Sequence, residues 1–278
     1  MGMTFRRKLA IFFLSAFKFG GFIQKLYPIA VDLEYSKLSR ENLDLIRHLL
    51  VQDNQPNLIR VGDKFDGGYA ISPIIHPSTN CISVGVGTNV SFDIHISKRL
   101  STVHLYDHTV SGLPADVPQN VVFFNKGLGK KSSETFITLE EMVAQFPSNS
   151  PLILKMDIEG FEWEILENIT ESTLLRFDQI VLELHHFHQL NDKDFFDSVV
   201  RSLKNLKATH QIVNRHANNW ARYSLIHGVP VPDVLEVTYV KREEVLSPSV
   251  ESSSLVRNYS SPANFPCNPT RPDISLYF

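Results

Sequence analysis

Residues Pro151–Leu166 read PLILKMDIEGFEWEIL, and this stretch constrains the fold more than any other. A short, unbroken apolar run is the pattern of a strand covered on both faces, as in a parallel sheet flanked by helices. The run drives into Asp157-Ile158-Glu159-Gly160 and then into a segment with helical character. Ligands of open α/β sheets collect beyond the carboxyl ends of the strands, so two acids and a glycine there stand where chemistry occurs. The competing reading is helix capping, because an acid in the first turn offsets the helix dipole.

A second strand-to-loop motif lies upstream. Cys81-Ile82-Ser83-Val84 is strand-like, and Gly85-Val86-Gly87-Thr88-Asn89 follows it. Glycines at such a turn let the backbone approach a ligand, and the next helix offers its N-terminal amides. The dinucleotide fingerprint wants a third glycine where Val90 stands. The next strand, Val103–Tyr106, ends at Asp107, and an acid about 20 residues past the glycines is placed for ribose hydroxyls. Gly85, Gly87, Asn89 and Asp107 are therefore the candidate cofactor residues, with capping of the following turn the alternative role for Asp107.

Strand-like Val121–Phe124 and Gln179–Leu184 and helix-like Leu139–Phe146 and Phe195–Leu206 continue the α/β alternation. The last two strands, His210–Val213 and Val234–Val240, have no helix-length pattern between them and are expected to pair antiparallel. Asn214–Pro232 reads as a long loop and the Ser/Pro/Asn-rich stretch after about residue 245 as an irregular surface tail. One domain, residues 36–245, is expected between an N-terminal segment (1–35) and that tail (246–278).

With 43% hydrophobic and 21% charged residues among 278, the chain has room for one full α/β core. A formal charge of -3 argues against a nucleic-acid partner. The two cysteines, Cys81 and Cys267, form no disulfide framework or zinc signature. Arg6-Arg7-Lys8 precedes the apolar run Leu9–Phe17, which Lys18 interrupts. A signal anchor and an amphipathic helix on a membrane surface fit this segment equally, so membrane, lumenal and cytoplasmic locations all stay open.

The order of glycine turn, spaced acid and closing reversed strands resembles a class I S-adenosylmethionine-dependent methyltransferase, whose mostly parallel Rossmann-like sheet ends in an antiparallel pair. Asp66-Gly67-Gly68-Tyr69, the Gly85–Gly87 loop ending in Ser91-Phe92-Asp93, Lys155–Glu164, His216–Asn219 and Glu236–Tyr239 are similar to the FkbM-type methyltransferases, the methyltransferase-like protein 24 group above all. The resemblance covers roughly residues 55–243. It implies methyl transfer from S-adenosylmethionine to a hydroxyl of a glycan or other small acceptor. It departs from the wider class at Ser83, where many members carry an acid, so the cofactor's amine would turn to Asp93 or a backbone carbonyl.

The catalytic candidates are Asp157 and Glu159 with His185 and His186, which follow the Gln179–Leu184 strand. A histidine titrating near neutrality suits removal of an acceptor proton; structural hydrogen bonding is the other role for both. Acids with imidazoles also suit a divalent metal, but no spacing here is a ligand signature, so no metal is expected. His216, Asn218 and Asn219 are expected to touch substrate from a polar loop, and Phe161, Trp163 and Trp220 to pack as core or lid. Two other functions remain in view: a catalytically silent binding module and an NAD-dependent oxidoreductase.

Overall fold

In the computed structural model, residues 38–53, 57–113, 116–242, 261–273 and 276 are described; the N-terminal basic and apolar segment lies outside them. Helix α1 (Arg40–Leu49), capped by the Ser39 hydroxyl, leads to the hairpin β1 (Ile59–Val61) and β2 (Tyr69–Ile71). Then come β3 (Asn80–Val84), α2 (Ser91–Ser97), β4 (Thr102–Tyr106), β5 (Val121–Phe124) and the short pair β6 (Gly127–Leu128) and β7 (Phe136–Ile137). Helix α3 (Leu139–Ala144), β8 (Leu152–Met156), α4 (Glu162–Leu166), α5 (Glu171–Leu174) and β9 (Phe177–Leu184) follow. Helix α6 (Lys193–Thr209), β10 (His210–Ala217), the hairpin β11 (Tyr223–Ile226) and β12 (Val229–Pro232), and β13 (Leu235–Lys241) complete the order.

Seven strands form one sheet in the order β10-β13-β9-β8-β3-β4-β5. Pairing is parallel from β9 to β5, and β13 runs antiparallel to both β9 and β10. The expected class I architecture is present, with a single reversed strand inserted between two that run with the rest. Beside the expected strands lies the β11–β12 hairpin, where a loop was expected; β10 also runs on to Ala217. β10 is longer because Asn214, Arg215 and His216 keep pairing with β13 although their polarity reads as loop, and the hairpin is a separate two-stranded sheet.

The two faces of the sheet differ. Leu152, Leu154 and Met156 of β8 and Ile180 and Leu182 of β9 point to a large apolar cluster that includes Val199, Leu203 and Leu206 of α6. A helix with an apolar stripe at this spacing closes such a face, and truncating Leu203, fully buried, would cost about 2–5 kcal/mol. Alternation sends Cys81, Ile153 and Val181 to the other face, against Phe92 and Ile96 of α2 and Tyr69 and Ile71 of β2. Two residues further along, the same alternation places Ser83, Lys155 and Glu183 on that second face at the strands' carboxyl ends. That face is apolar in its middle and polar at its end.

Residues 261–273 form no helix or strand, yet Ser261, Ala263, Cys267 and Asn268 are buried. This part of the expected surface tail packs instead against β10 and β13, because three Asn219 contacts and the Asn214–Asn264 pair tie it down. No helix among the described residues is long and apolar enough to cross a membrane.

Candidate active site

A cavity of about 600 Å³ opens at the carboxyl ends of β3, β4 and β8. A larger one, about 660 Å³, lies at the other end of the sheet around Pro151 and Gln179, away from the position where α/β sheets bind ligands. Gly85, Gly87, Asn89, Asp107, Asp157 and Glu159 all line the strand-end cavity.

The glycine half is built from backbone. Gly85 has φ +74, and a Cβ there would collide with the Asp157 carbonyl, so the glycine turn and the Asp157 turn are in direct contact. Gly87 has φ +56 with open space where a Cβ would stand, which leaves its backbone bare toward the cavity. Asp107 Oδ2 accepts the amides of Val86 and Gly87 at 3.0 and 2.8 Å. Its Oδ1 accepts the Thr109 amide and hydroxyl at 2.7 and 2.6 Å. Burial alone would raise this carboxyl's pKa, but those four donors outweigh it and lower the pKa. Asp107 thus both faces the cavity and caps its own turn. The Asn89 side chain is committed to the protein: it donates to Asp63 and accepts from the Ser91 amide.

The other half is built from charge. Tyr69 Oη lies 3.2 Å from Asp157 Oδ2 and 3.1 Å from Glu183 Oε2. A phenol has one proton for two carboxyls, so one contact requires a proton on a carboxyl. Glu183 holds it: burial, then the charges of Asp157 and Glu236, raise its pKa. Lys155 Nζ donates to the Gly85 carbonyl at 2.7 Å and lies 3.4 Å from Asp157 Oδ2. Burial opposes its charge, but Asp157, Asp93 and Glu183 together raise its pKa. Asp93, on α2, is 2% exposed, and its carboxyl is raised chiefly by burial. Its Oδ1 and Ser83 Oγ are buried without hydrogen-bond partners of good geometry, although the hydroxyl lies close enough to lower the carboxyl's pKa.

Glu162 organises the Asp157–Gly160 turn. Fully buried, it accepts the amides of Ile158 and Gly160 at 2.8 and 3.0 Å and contacts His185 Nδ1 at 3.1 Å. The turn needs such an anchor because Glu159 itself adopts a left-handed φ of +56. Burial lowers the His185 pKa, but the Glu162 hydrogen bond and charge, with Glu183 and Asp157, lift it to about 9. At neutral pH this imidazole already carries its proton, which corrects its expected role as a base near neutrality.

His186 is also corrected. It turns left-handed at φ +69 just beyond β9, and its ring faces Gly160, His188 and Asp233 and does not line the cavity. The expected substrate residues do not reach the cavity either. His216 is buried in β10 between Glu236 (3.0 Å) and Asp273 (3.1 Å). Asn218 donates to Glu183 Oε1 at 2.7 Å, and Asn219 holds the backbone of residues 268–272. They support the charged half from behind. Trp163 is core, its indole donating to the His185 carbonyl at 2.7 Å, whereas Phe161 (63% exposed) and Trp220 (53%) stand open, Phe161 at the cavity wall.

Reading the sequence left Tyr69, Lys155, Glu162 and Glu183 without site roles. The signal for Lys155 and Glu183 was strand alternation carried one step past the apolar run. For Glu162 it was an acid two residues after a glycine that needs its amide satisfied.

Solved structures with a distant likeness include an rRNA methylase from Streptococcus thermophilus (11% identity, TM-score 0.34, 60% of this chain and 89% of that chain). Others are a Streptococcus mutans protein in complex with SAH (11%, 0.32, 72% and 95%) and precorrin-6y C5,15-methyltransferase from Geobacter metallireducens (12%, 0.31, 77% and 97%). No curated protein matches the sequence. The methyltransferase FkbM domain matches residues 55–209, a span that holds the glycine turn, Asp107 and the Asp157–Glu162 turn, and the chain belongs to this family of methyltransferases.

Proposed function

We propose that the protein transfers a methyl group from S-adenosylmethionine to a hydroxyl of a glycan or other small acceptor. The observation that carries this reading is the contact between the two turns: Gly85 abuts the Asp157 carbonyl, so a cofactor on the glycine turn and an acceptor on Asp157 share one cavity. Asp93 lines the cavity, and its buried Oδ1, short of a partner, fits the amine of the cofactor's methionine end. The bare Gly87 backbone and Asp107 fit its ribose. S-adenosylmethionine, when bound, supplies a methyl group activated by a sulfonium.

The chain's own part is alignment and proton handling. Asp157 takes the hydrogen bond, and in the reaction the proton, of the acceptor hydroxyl as its oxygen bonds the methyl carbon and the carbon–sulfur bond breaks. Lys155 and Tyr69 hold the Asp157 carboxyl in place, and His185, already protonated, offsets the negative charge gathered there. Within the family, the quoted motifs support kinship with the methyltransferase-like protein 24 group. The reversed strand β13 speaks against a nicotinamide-binding sheet, and acids kept at a costly buried position speak against a silent binding module.

Calorimetry tests the cofactor: S-adenosylmethionine or S-adenosylhomocysteine should bind and Gly85→Arg should abolish it, while preferential binding of NAD would sink the reading. Turnover against a mixed extract of glycans and small molecules then identifies the acceptor.

A further inference from the structure

Three groupings among the described residues bring metal-ligating side chains together: His186–His188–Asp233, His216–Glu236–Cys267 and Asp157–Glu159–His185. In the first, His188 Nδ1 is bonded to Asp233 at 2.6 Å. In the second, both nitrogens of His216 are hydrogen-bonded and the Cys267 thiol donates to Glu236. The third differs because its imidazole is buried and points a nitrogen without a hydrogen bond at acids.

His185 is 6% exposed. Its Nδ1 faces Glu162 Oε1 at 3.1 Å and the Glu183 carbonyl at 3.2 Å. A carbonyl only accepts, so Nδ1 keeps a hydrogen, and Nε2, which carries the second proton in the ion-free site, becomes a ligand when an ion displaces that proton. Nε2 makes no hydrogen bond among the described residues. Its polar neighbours are Glu159 Oε2 at 3.5 Å and Asp157 Oδ1 and Glu183 Oε1, each at 3.9 Å. A charge-assisted hydrogen bond would draw one oxygen in to about 2.7–2.9 Å. Donor atoms that each sit about 2.1 Å from one divalent ion lie roughly 3.0–3.5 Å apart. The imidazole needs to close by at most a few tenths of an ångström on each carboxylate, and all three donor atoms lie within 4.8 Å of one another.

We propose that Asp157, Glu159 and His185 bind a divalent cation of the manganese type at the acceptor end of the cavity; this rests on the methyl-transfer reading of that cavity. Two carboxylate oxygens with one imidazole favour manganese over magnesium, which prefers oxygen alone. Glu162 supplies the buried carboxylate that commonly orients a metal-bound histidine from its far nitrogen. The left-handed backbone of Glu159 brings a side chain that is 87% exposed back over His185. An ion there would orient the acceptor hydroxyl and lower its pKa.

The test is a manganese titration of the full chain, stripped of metal by chelation, followed by electron paramagnetic resonance. Saturable binding is expected, weakened at least tenfold in His185→Gln and in Glu159→Gln, and unchanged in His188→Ala. Glu159→Gln alters an exposed side chain and keeps the test decisive should His185→Gln misfold. Absence of saturable binding overturns the proposal, as does binding lost in His188→Ala but kept in His185→Gln. S-adenosylmethionine calorimetry on the same samples separates the two readings. Cofactor binding without manganese binding removes only the ion, and manganese binding without cofactor binding removes the methyl-transfer reading while the ion site stands.

Discussion

The two halves of the cavity are made of different materials. The glycine half consists of two left-handed glycines and one carboxyl, Asp107, whose pKa is lowered by the loop amides and the Thr109 groups that donate to it. The opposite half is a knot of side-chain charge in which Glu183, Lys155 and His185 are all raised. A backbone site keeps its shape and charge across the physiological pH range. A side-chain knot has protons to move, which is what removal of an acceptor proton needs. The division of labour follows: one half holds and the other reacts.

The sharpest way to break this comparison is Gly87→Arg, which places a long side chain in the open space over that glycine. Loss of all detectable S-adenosylmethionine binding is expected by calorimetry, with the His185 titration observed by NMR unchanged. A shifted titration would mean the halves are one unit. Next in size, Asp157→Asn should lower turnover about a hundredfold with cofactor affinity little altered. Affinity falling in step with turnover would end the separation.

The third concerns pH and His216. Burial opposes its charge, but hydrogen bonds to Asp273 and Glu236 raise its pKa to about 9. A raised histidine pKa gives stability that is fully present below about 6.5 and is lost as pH climbs through the folded value. Urea unfolding should therefore show about 2 kcal/mol lost between pH 7 and 9 in the parent relative to His216→Gln. Parallel curves for the two proteins would refute the assignment. The smallest effect belongs to Glu162→Gln: about tenfold in turnover, with the His185 pKa moving down toward its ordinary range. An unmoved pKa would show that Glu162 does not hold that proton.

The backbone half was largely legible in the sequence and the charged half was not. Glycines and a spaced acid act within one strand–loop–strand unit, and the apolar runs Val121–Phe124 and Leu152–Met156 are strands from end to end. The charged half depends on partners far apart in the chain. Tyr69 meets residues 88 and 114 positions away, and Asn219 closes on residues about fifty further on. Polar residues such as His216 and Asn219 look alike in sequence whether they face a substrate or brace a tail. His186 failed for a local reason, since one left-handed residue after β9 turned it away from its neighbour's side.

The reversed strand carries one more consequence. His216 pairs across to Glu236, and Glu236 across to Glu183, so three ionisable groups lie in a single row that runs from the tail clasp to the reacting cluster. Sliding β13 by one residue would turn Glu236 to the apolar face. It would then strip His216 Nδ1 of its Glu236 partner and leave it with Asp273 alone, at about 3–5 kcal/mol for a broken buried pair. The row that serves the cavity thus doubles as a proofreader of assembly: a sheet closed out of register also fails to seat the charges its chemistry needs, and misfolded molecules are the inactive ones.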